Sequence, residues 1–336
     1  MNSLPNATSA TIAKQSLPLH RRTPIRLLSV AVVLISAIWF AYAVLRQGPD
    51  ILTLLKNPAL VGLLLLLVIV LQAGVILTGL GFHVLIRAMG EESRLSEAIW
   101  ILMLSQFGKY LPGNFAHHLG RVGLARLRGC AVASASIAIV IEMATSLLVA
   151  AVIGASIILT APLPLADRLA PWIPDRSGAG PAFLALGLVL VMAGFAAWRR
   201  MRSRLKQAFP GLRAVCTIIL ICVANLAVLG VVLWLVLQAL VTEAPQPYLF
   251  VTGVYASAWI IGTVTPGAPG GLGVREAILV VLLAPYCGEG VAVAAALYLR
   301  IATTFADLLS FLIGLVWRRL ALRAPAPIAD ERGISR

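Results

Sequence analysis

Apolar runs long enough to cross a lipid bilayer recur along this sequence of 336 residues. The hydrocarbon core is about 30 Å thick, so a spanning helix needs about 20 apolar residues. Residues 59–86 and 214–240 exceed that length. Hydrophobic residues make up 60% of the chain and charged residues only 12%, which is too apolar for a soluble core. The sequence therefore predicts an all-α polytopic membrane protein.

Two apolar segments are interrupted by Pro-Gly at equivalent places. The interruptions at 112–113 and 266–267 lie 154 positions apart. An arginine, Arg121 or Arg275, follows each proline nine positions later. Matching breaks in two halves of a membrane protein are typical of inverted repeats that hold a site near the bilayer midplane. The residues predicted to break the backbone are Pro112, Gly113, Pro266, Gly267, Gly270, Gly271 and Gly273.

The lengths of the interrupted segments favour re-entrant units. The apolar stretch before the first break covers only residues 98–111, about 21 Å as a helix, which is too short to span the bilayer. We therefore expect about six full spans plus two re-entrant units, 98–128 and 248–290, in an inverted repeat. Eight simple spans are the alternative. The six predicted spans are 27–45, 59–86, 131–160, 182–198, 214–240 and 291–317.

The basic residues predict the orientation. The net charge is +14, and Lys and Arg cluster before the first span, in a central loop and after the last span. By the positive-inside rule, these clusters and both termini are cytoplasmic. Residues 1–25 form an N-terminal tail, 26–319 the membrane domain and 320–336 a disordered tail. The clusters are Lys14, Arg21, Arg22 and Arg26, then Arg199, Arg200, Arg202, Arg204, Lys206 and Arg213, then Arg318, Arg319 and Arg323.

Seven charged residues fall within the apolar units, where a charge costs about 2.5–3.5 kcal/mol. The cations could pair with carboxylates and fix helix packing, as Arg300 could with a carboxylate such as Asp307 on the same helix face. They could instead line a polar cavity for an anionic, phosphate-bearing headgroup, with Asn114 adding a hydrogen bond. The candidate substrate-binding residues are Lys109, Asn114, Arg121, Glu142, Arg275, Glu276, Arg300 and Asp307.

The breaks have a physical role in such a site. Proline ends a helix because it lacks an N–H and clashes with the preceding turn. Glycine lets the backbone turn and approach a ligand closely, and the N–H groups that open the next half-helix favour anions. A structural kink without a ligand is the alternative.

No residue pattern predicts catalysis, a metal or a cofactor. His117 and His118 are adjacent and lack a third ligand, so we expect them to line a cavity or an interface. The four cysteines lack ligand spacing. The basic residues border apolar spans and form no nucleic-acid-reading helix, so we expect membrane lipids, and no nucleic acid, as partners.

At these residues the chain resembles a known family. Residues 108–114 read Gly-Lys-Tyr-Leu-Pro-Gly-Asn, Gly120 precedes Arg121, Glu142 lies in the following span, and residues 269–276 read Pro-Gly-Gly-Leu-Gly-Val-Arg-Glu. This combination is similar to the lysylphosphatidylglycerol synthase transmembrane, or flippase-like, family. The resemblance covers about residues 25–319.

The resemblance implies a bacterial or archaeal cytoplasmic-membrane protein. In multiple peptide resistance factors, a related membrane unit flips aminoacylated lipid, and a separate cytosolic domain attaches the amino acid. The apolar sequence leaves no room for that domain here, so we do not expect aminoacyl transfer.

We expect the chain to flip a lipid or lipid-linked headgroup in envelope lipid or glycan biosynthesis. The alternatives are a membrane-embedded enzyme and an accessory or scaffold subunit for enzymes of a lipid or glycan pathway.

Overall fold

The structure, a computed structural model, describes residues 57–110, 116–160, 196, 199–200, 210–241, 247–265 and 268–323. This part of the chain is helical and contains no strand. It comprises α1 (Pro58–Ala88), α2 (Leu95–Ser105), α3 (Ala116–Leu127), α4 (Val132–Thr160), α5 (Leu212–Leu240), α6 (Tyr248–Val264) and α7 (Val274–Arg323). Short 3-10 helices cover Gln106–Tyr110 and Pro269–Gly271.

Local sequence sets the ends of α1. The Asn57 side chain accepts a hydrogen bond from the Ala59 N–H at 3.0 Å, and Pro58 occupies the first turn, where its missing N–H has no cost. The helix ends before Gly90, whose φ of 84° is accessible chiefly to glycine. Its 31 residues are about 46 Å long, so it is expected to tilt in a bilayer.

Four helices in the described residues are long and apolar enough to cross a membrane. They are Pro58–Ala88, Val132–Ala155, Leu212–Leu240 and Val274–Trp317. Each overlaps a predicted span. The predicted span 27–45 lies outside the described residues, and so does nearly all of 182–198.

The first broken unit consists of α2, the 3-10 turn Gln106–Tyr110 and α3. The turn packs directly on α3, because a Cβ at Gly108 would lie 2.8 Å from the His117 backbone. Only glycine fits this contact. Pro112, Gly113 and Asn114 lie outside the described residues.

The second broken unit consists of α6, the 3-10 turn Pro269–Gly271 and α7, which continues past Gly288 and carries Arg300 and Asp307. Gly270, Gly271 and Gly273 all have positive φ, at 58°, 71° and 79°. Pro266 and Gly267 lie outside the described residues. The sequence predicted that the second re-entrant unit ends at residue 290. In the structure the helix continues through Pro285 and kinks at Gly288, where φ is 78°, a value that glycine adopts without strain.

The helices enclose a core of apolar side chains and present large apolar side chains outward. Leu65 is 62% exposed and Leu220 is 69% exposed on long helices. Such an outer surface suits lipid, whereas a soluble monomer rarely exposes large apolar patches. Together with the four long apolar helices, it supports a multi-pass membrane protein.

Candidate functional site

The two broken units meet inside the helix bundle. The 3-10 turns contact each other: a Cβ at Gly270 would lie 3.7 Å from the Lys109 carbonyl oxygen and 3.8 Å from an Arg300 nitrogen. Residues from the two halves of the sequence thus share one site.

A cavity of about 460 Å³ opens at this meeting point. It lies among α1, the first broken unit, α4, α5, α6 and α7. Arg121 and Arg275, the arginines at matching positions in the sequence, both line it. The other charged or titratable lining residues are Lys109, Tyr110, His117, His118, Glu142, Cys222, Tyr255, Arg300 and Asp307.

In the first broken unit, Arg121 forms a bidentate ion pair with Glu142 of α4. Its Nη1 donates to Oε1 at 3.0 Å, and its Nη2 donates to Oε2 at 2.6 Å. The guanidinium also lies over the Phe82 ring, 4.8 Å from its centroid. Arg121 is 2% exposed. This pairing is the strongest form of arginine–carboxylate contact, and it fully neutralises both groups.

In the second broken unit, Arg275 and Arg300 share one carboxylate. Glu276 Oε1 lies 3.6 Å from Arg275 Nη2 and 3.4 Å from Arg300 Nη1. The other oxygen of Glu276 accepts the Gly273 N–H at 2.7 Å and so caps the start of α7. Arg300 also donates to the Gly270 carbonyl at 3.2 Å. Both oxygens of Glu276 are therefore engaged. The two arginines carry one positive charge more than this carboxylate neutralises.

The third ion pair connects the two units. Lys109 Nζ lies 3.1 Å from Asp307 Oδ1, and the Tyr110 hydroxyl donates to Oδ2 at 3.0 Å. Lys109 and Tyr110 belong to the first unit, whereas Asp307 lies on α7 of the second. The contact fixes the first 3-10 turn against α7.

The expected internal ion pairs exist, but the suggested partner of Arg300 is wrong. Arg300 and Asp307 both line the cavity, yet Arg300 pairs with Glu276, and Asp307 pairs with Lys109. The difference arises because Gly270 and Gly273 turn the backbone so that the first residues of α7 return beside Arg300.

The four cations and three carboxylates of these pairs leave a net charge of plus one. The excess lies in the second unit, where two arginines contact one carboxylate. Among the described residues, Arg121 Nε and Arg275 Nε are both buried without a hydrogen-bond partner, but only Arg275 shares its carboxylate with a second arginine. An anion entering the cavity would find charge and donor capacity there, beside the first turn of α7.

Part of the cavity wall consists of residues that the sequence did not predict. Tyr110, Tyr255 and Asn225 line it and were not among the candidate residues. Asn225 could have been noticed because it is a polar side chain inside the apolar helix α5. Tyr110 directly follows Lys109, but its bond to Asp307 depends on tertiary packing alone.

The described residues hold no group of three His, Cys, Asp or Glu side chains placed to bind a metal ion. The rings of His117 and His118 contact each other in a tilted arrangement, with centroids 3.8 Å apart, and both residues line the cavity. The chemistry of the wall is therefore that of ion pairs, neutral hydrogen-bonding groups and apolar side chains.

Comparison with known proteins agrees with the resemblance read from the motifs. No curated protein matches the chain. The family model of the lysylphosphatidylglycerol synthase TM region matches residues 26–310, which include both Pro-Gly breaks and all seven of the paired charges. The chain belongs to the lysylphosphatidylglycerol synthase transmembrane-region family.

Proposed function

We propose that this protein moves a lipid with an anionic, phosphate-bearing headgroup between the leaflets of the cytoplasmic membrane. The family points to a role with membrane lipids. The observation that carries the specific proposal is the unequal sharing of Glu276 by Arg275 and Arg300. It leaves a positive charge on the cavity wall, which a phosphate oxygen would neutralise.

The two cations beside Glu276 are both arginines, which suit phosphate. Arginine offers a planar fork of donors that binds phosphate oxygens in pairs. Arg300 and Arg275 line the cavity together with Gly270 and Gly271, which expose backbone without a side chain. A headgroup held at this depth would leave its acyl chains in the bilayer.

In the proposed cycle, the cavity opens alternately to the two membrane faces. The two broken units would enter from opposite faces and move relative to each other around the bound headgroup. The Lys109–Asp307 pair connects the units and would break and re-form during this movement. Both termini and the loop at 199–213 would be cytoplasmic.

Sealed vesicles test the proposal. Purified protein is reconstituted with fluorescent phosphatidylglycerol, and dithionite is added to bleach the outer leaflet. The wild type should render inner-leaflet lipid accessible, and Arg300→Ala should not. Arg128→Ala is the matched control, because Arg128 is 41% exposed and pairs with Glu97 outside the cavity.

Two results would contradict the proposal. One is lipid movement in Arg300→Ala vesicles at the wild-type rate. The other is chemical turnover of the lipid by the purified chain in detergent, which would favour a membrane-embedded enzyme.

A further inference from the structure

Three uncharged polar side chains on one wall of the cavity have a buried atom without a hydrogen-bond partner among the described residues, as does the neighbouring Arg121 at Nε. The atoms are Gln106 Oε1, His117 Nδ1 and His118 Nδ1. All three residues line the cavity, and Gln106 is 6% exposed. Buried polar groups in proteins are normally paired, because losing water without a replacement is unfavourable. Three unpaired groups on one wall therefore indicate a binding surface.

These groups belong to the first broken unit and are held close together. Gln106 opens the first 3-10 turn, and the two histidines lie in the first turn of α3. The tight contact between Gly108 and His117 fixes the turn against the helix. Arg121 follows His117 and His118 by four and three positions, so it lies on the same face of α3.

The charges around this wall disfavour a cationic ligand. Lys109 and Arg121 are its nearest charges on the first unit, and both are positive. The carboxylates that could attract an ammonium group, Glu142 and Asp307, are already paired with those cations. An amide oxygen and neutral imidazoles instead suit hydroxyl groups, which donate and accept hydrogen bonds without charge.

The two walls lie within reach of a single headgroup. Gln106 belongs to the same 3-10 turn as Lys109, whose carbonyl lies next to Gly270 on the other unit. On the basis of the proposed function, we infer that the cavity recognises a headgroup in two parts. Arg275 and Arg300 bind its phosphodiester, and Gln106, His117 and His118 form a subsite for the hydroxyl groups of an uncharged polyol or sugar beyond it.

Lipid pairs that differ only in these groups test the inference. Phosphatidylpropanol is phosphatidylglycerol without its two headgroup hydroxyls, and phosphatidylethanolamine carries an ammonium group instead. Binding of their dioctanoyl forms to the full chain in detergent is measured by native mass spectrometry. Phosphatidylglycerol should bind on the order of tenfold more tightly than phosphatidylpropanol, as expected for two neutral hydrogen bonds, and phosphatidylethanolamine should bind most weakly.

Gln106→Met tests the role of the amide. Methionine keeps the length of the side chain and removes the unpaired oxygen, so thermal stability should not fall. Binding of phosphatidylglycerol should drop severalfold toward that of phosphatidylpropanol. Arg300→Ala should weaken both lipids by the same factor and leave their ratio unchanged, and Arg128→Ala should change neither.

Several outcomes would overturn the inference. Equal binding of phosphatidylglycerol and phosphatidylpropanol would mean that water, not the ligand, satisfies these groups. Tightest binding of phosphatidylethanolamine would assign the wall to an ammonium group. A Gln106→Met protein with lower stability and an unchanged lipid ratio would assign Gln106 to packing.

Two further results separate this inference from the proposed function. Glycerophosphoglycerol, the headgroup without acyl chains, should bind far more weakly than the lipid. Equal binding would mean that the subsite binds a soluble ligand, and it would overturn the inference that the subsite recognises a lipid. Retained lipid preference without movement in vesicles would contradict the transport proposal and leave the subsite standing.

Discussion

The two broken units carry an arginine at the same distance from their Pro-Gly pair, yet the two arginines differ in their electrostatic surroundings. Arg121 has a carboxylate of its own, Glu142, with contacts of 3.0 and 2.6 Å. Arg275 lies 3.6 Å from a carboxylate that Arg300 also contacts. The two arginines are thus placed at the same distance from their Pro-Gly pairs, but only Arg121 has a carboxylate that it does not share. The first unit is neutral at its arginine, and the second retains one uncompensated positive charge.

The largest expected effect concerns stability at the first unit. Arg121→Ala leaves the carboxylate of Glu142 unpaired inside the bundle and should destabilise the protein by about 3–5 kcal/mol. Thermal unfolding of the purified protein in detergent measures this loss. The double variant Arg121→Met with Glu142→Leu should recover most of the stability, because it removes both charges. An Arg121→Ala protein as stable as the wild type would mean that the Arg121–Glu142 pair is not needed for stability, contrary to the proposed difference between the two units.

At the second unit, we expect loss of function rather than loss of fold. Arg275→Ala and Arg300→Ala each leave one arginine to neutralise Glu276, so both should be destabilised less than Arg121→Ala. Both should fail to move phosphatidylglycerol in sealed vesicles. Lysine at either position should restore movement in part, because it provides charge without the planar fork. Full restoration of movement by exchanging Arg300 and Glu276 would mean that the pair is only structural.

Backbone geometry at the second turn gives a smaller effect. Gly271→Ala places a Cβ at a φ of 71° and 3.3 Å from the Gly262 Cα, so it should cost about 1 kcal/mol or more. Gly62 in α1 is the matched control, since a Cβ there meets nothing within 4 Å. Gly62→Ala should leave stability unchanged or raise it by up to about 1 kcal/mol. Thermal unfolding compares the two variants, and equal changes would argue against a strained turn.

The smallest expected effect concerns the exposed pair of Arg128 and Glu97. Both side chains are substantially exposed, at 41% and 32%, so Arg128→Ala should change stability by less than about 1 kcal/mol. The same thermal unfolding assay measures it. A loss as large as that of Arg121→Ala would mean that burial does not explain the difference between the ion pairs.

Much of the helical framework could be predicted from the sequence. Long apolar runs bounded by turn residues predicted 59–86, 131–160 and 214–240, and the helices begin and end within about three residues of these limits. The second re-entrant unit was predicted to begin at residue 248, and α6 begins at Tyr248. The length of an apolar run is a local property of the sequence, so it can be determined without knowing the tertiary structure.

The pairing of the charges could not be predicted in the same way. Arg300 and Asp307 lie on the same face of one helix, and this local spacing suggests that they form an ion pair. Asp307 instead accepts from Tyr110, 197 positions away, because the two broken units fold against each other. Helix periodicity indicates which residues share a face, but the approach of another element decides which partner they meet.

An experimental structure of the protein bound to phosphatidylglycerol, determined by cryo-electron microscopy in lipid nanodiscs, would test the difference between the units most directly. We expect the lipid phosphate within hydrogen-bonding distance of Arg275 and Arg300, with the Arg121–Glu142 pair intact. A phosphate bound to Arg121 with Glu142 displaced, or lipid confined to the outer surface of the helices, would show that the second unit is not the anion-binding one.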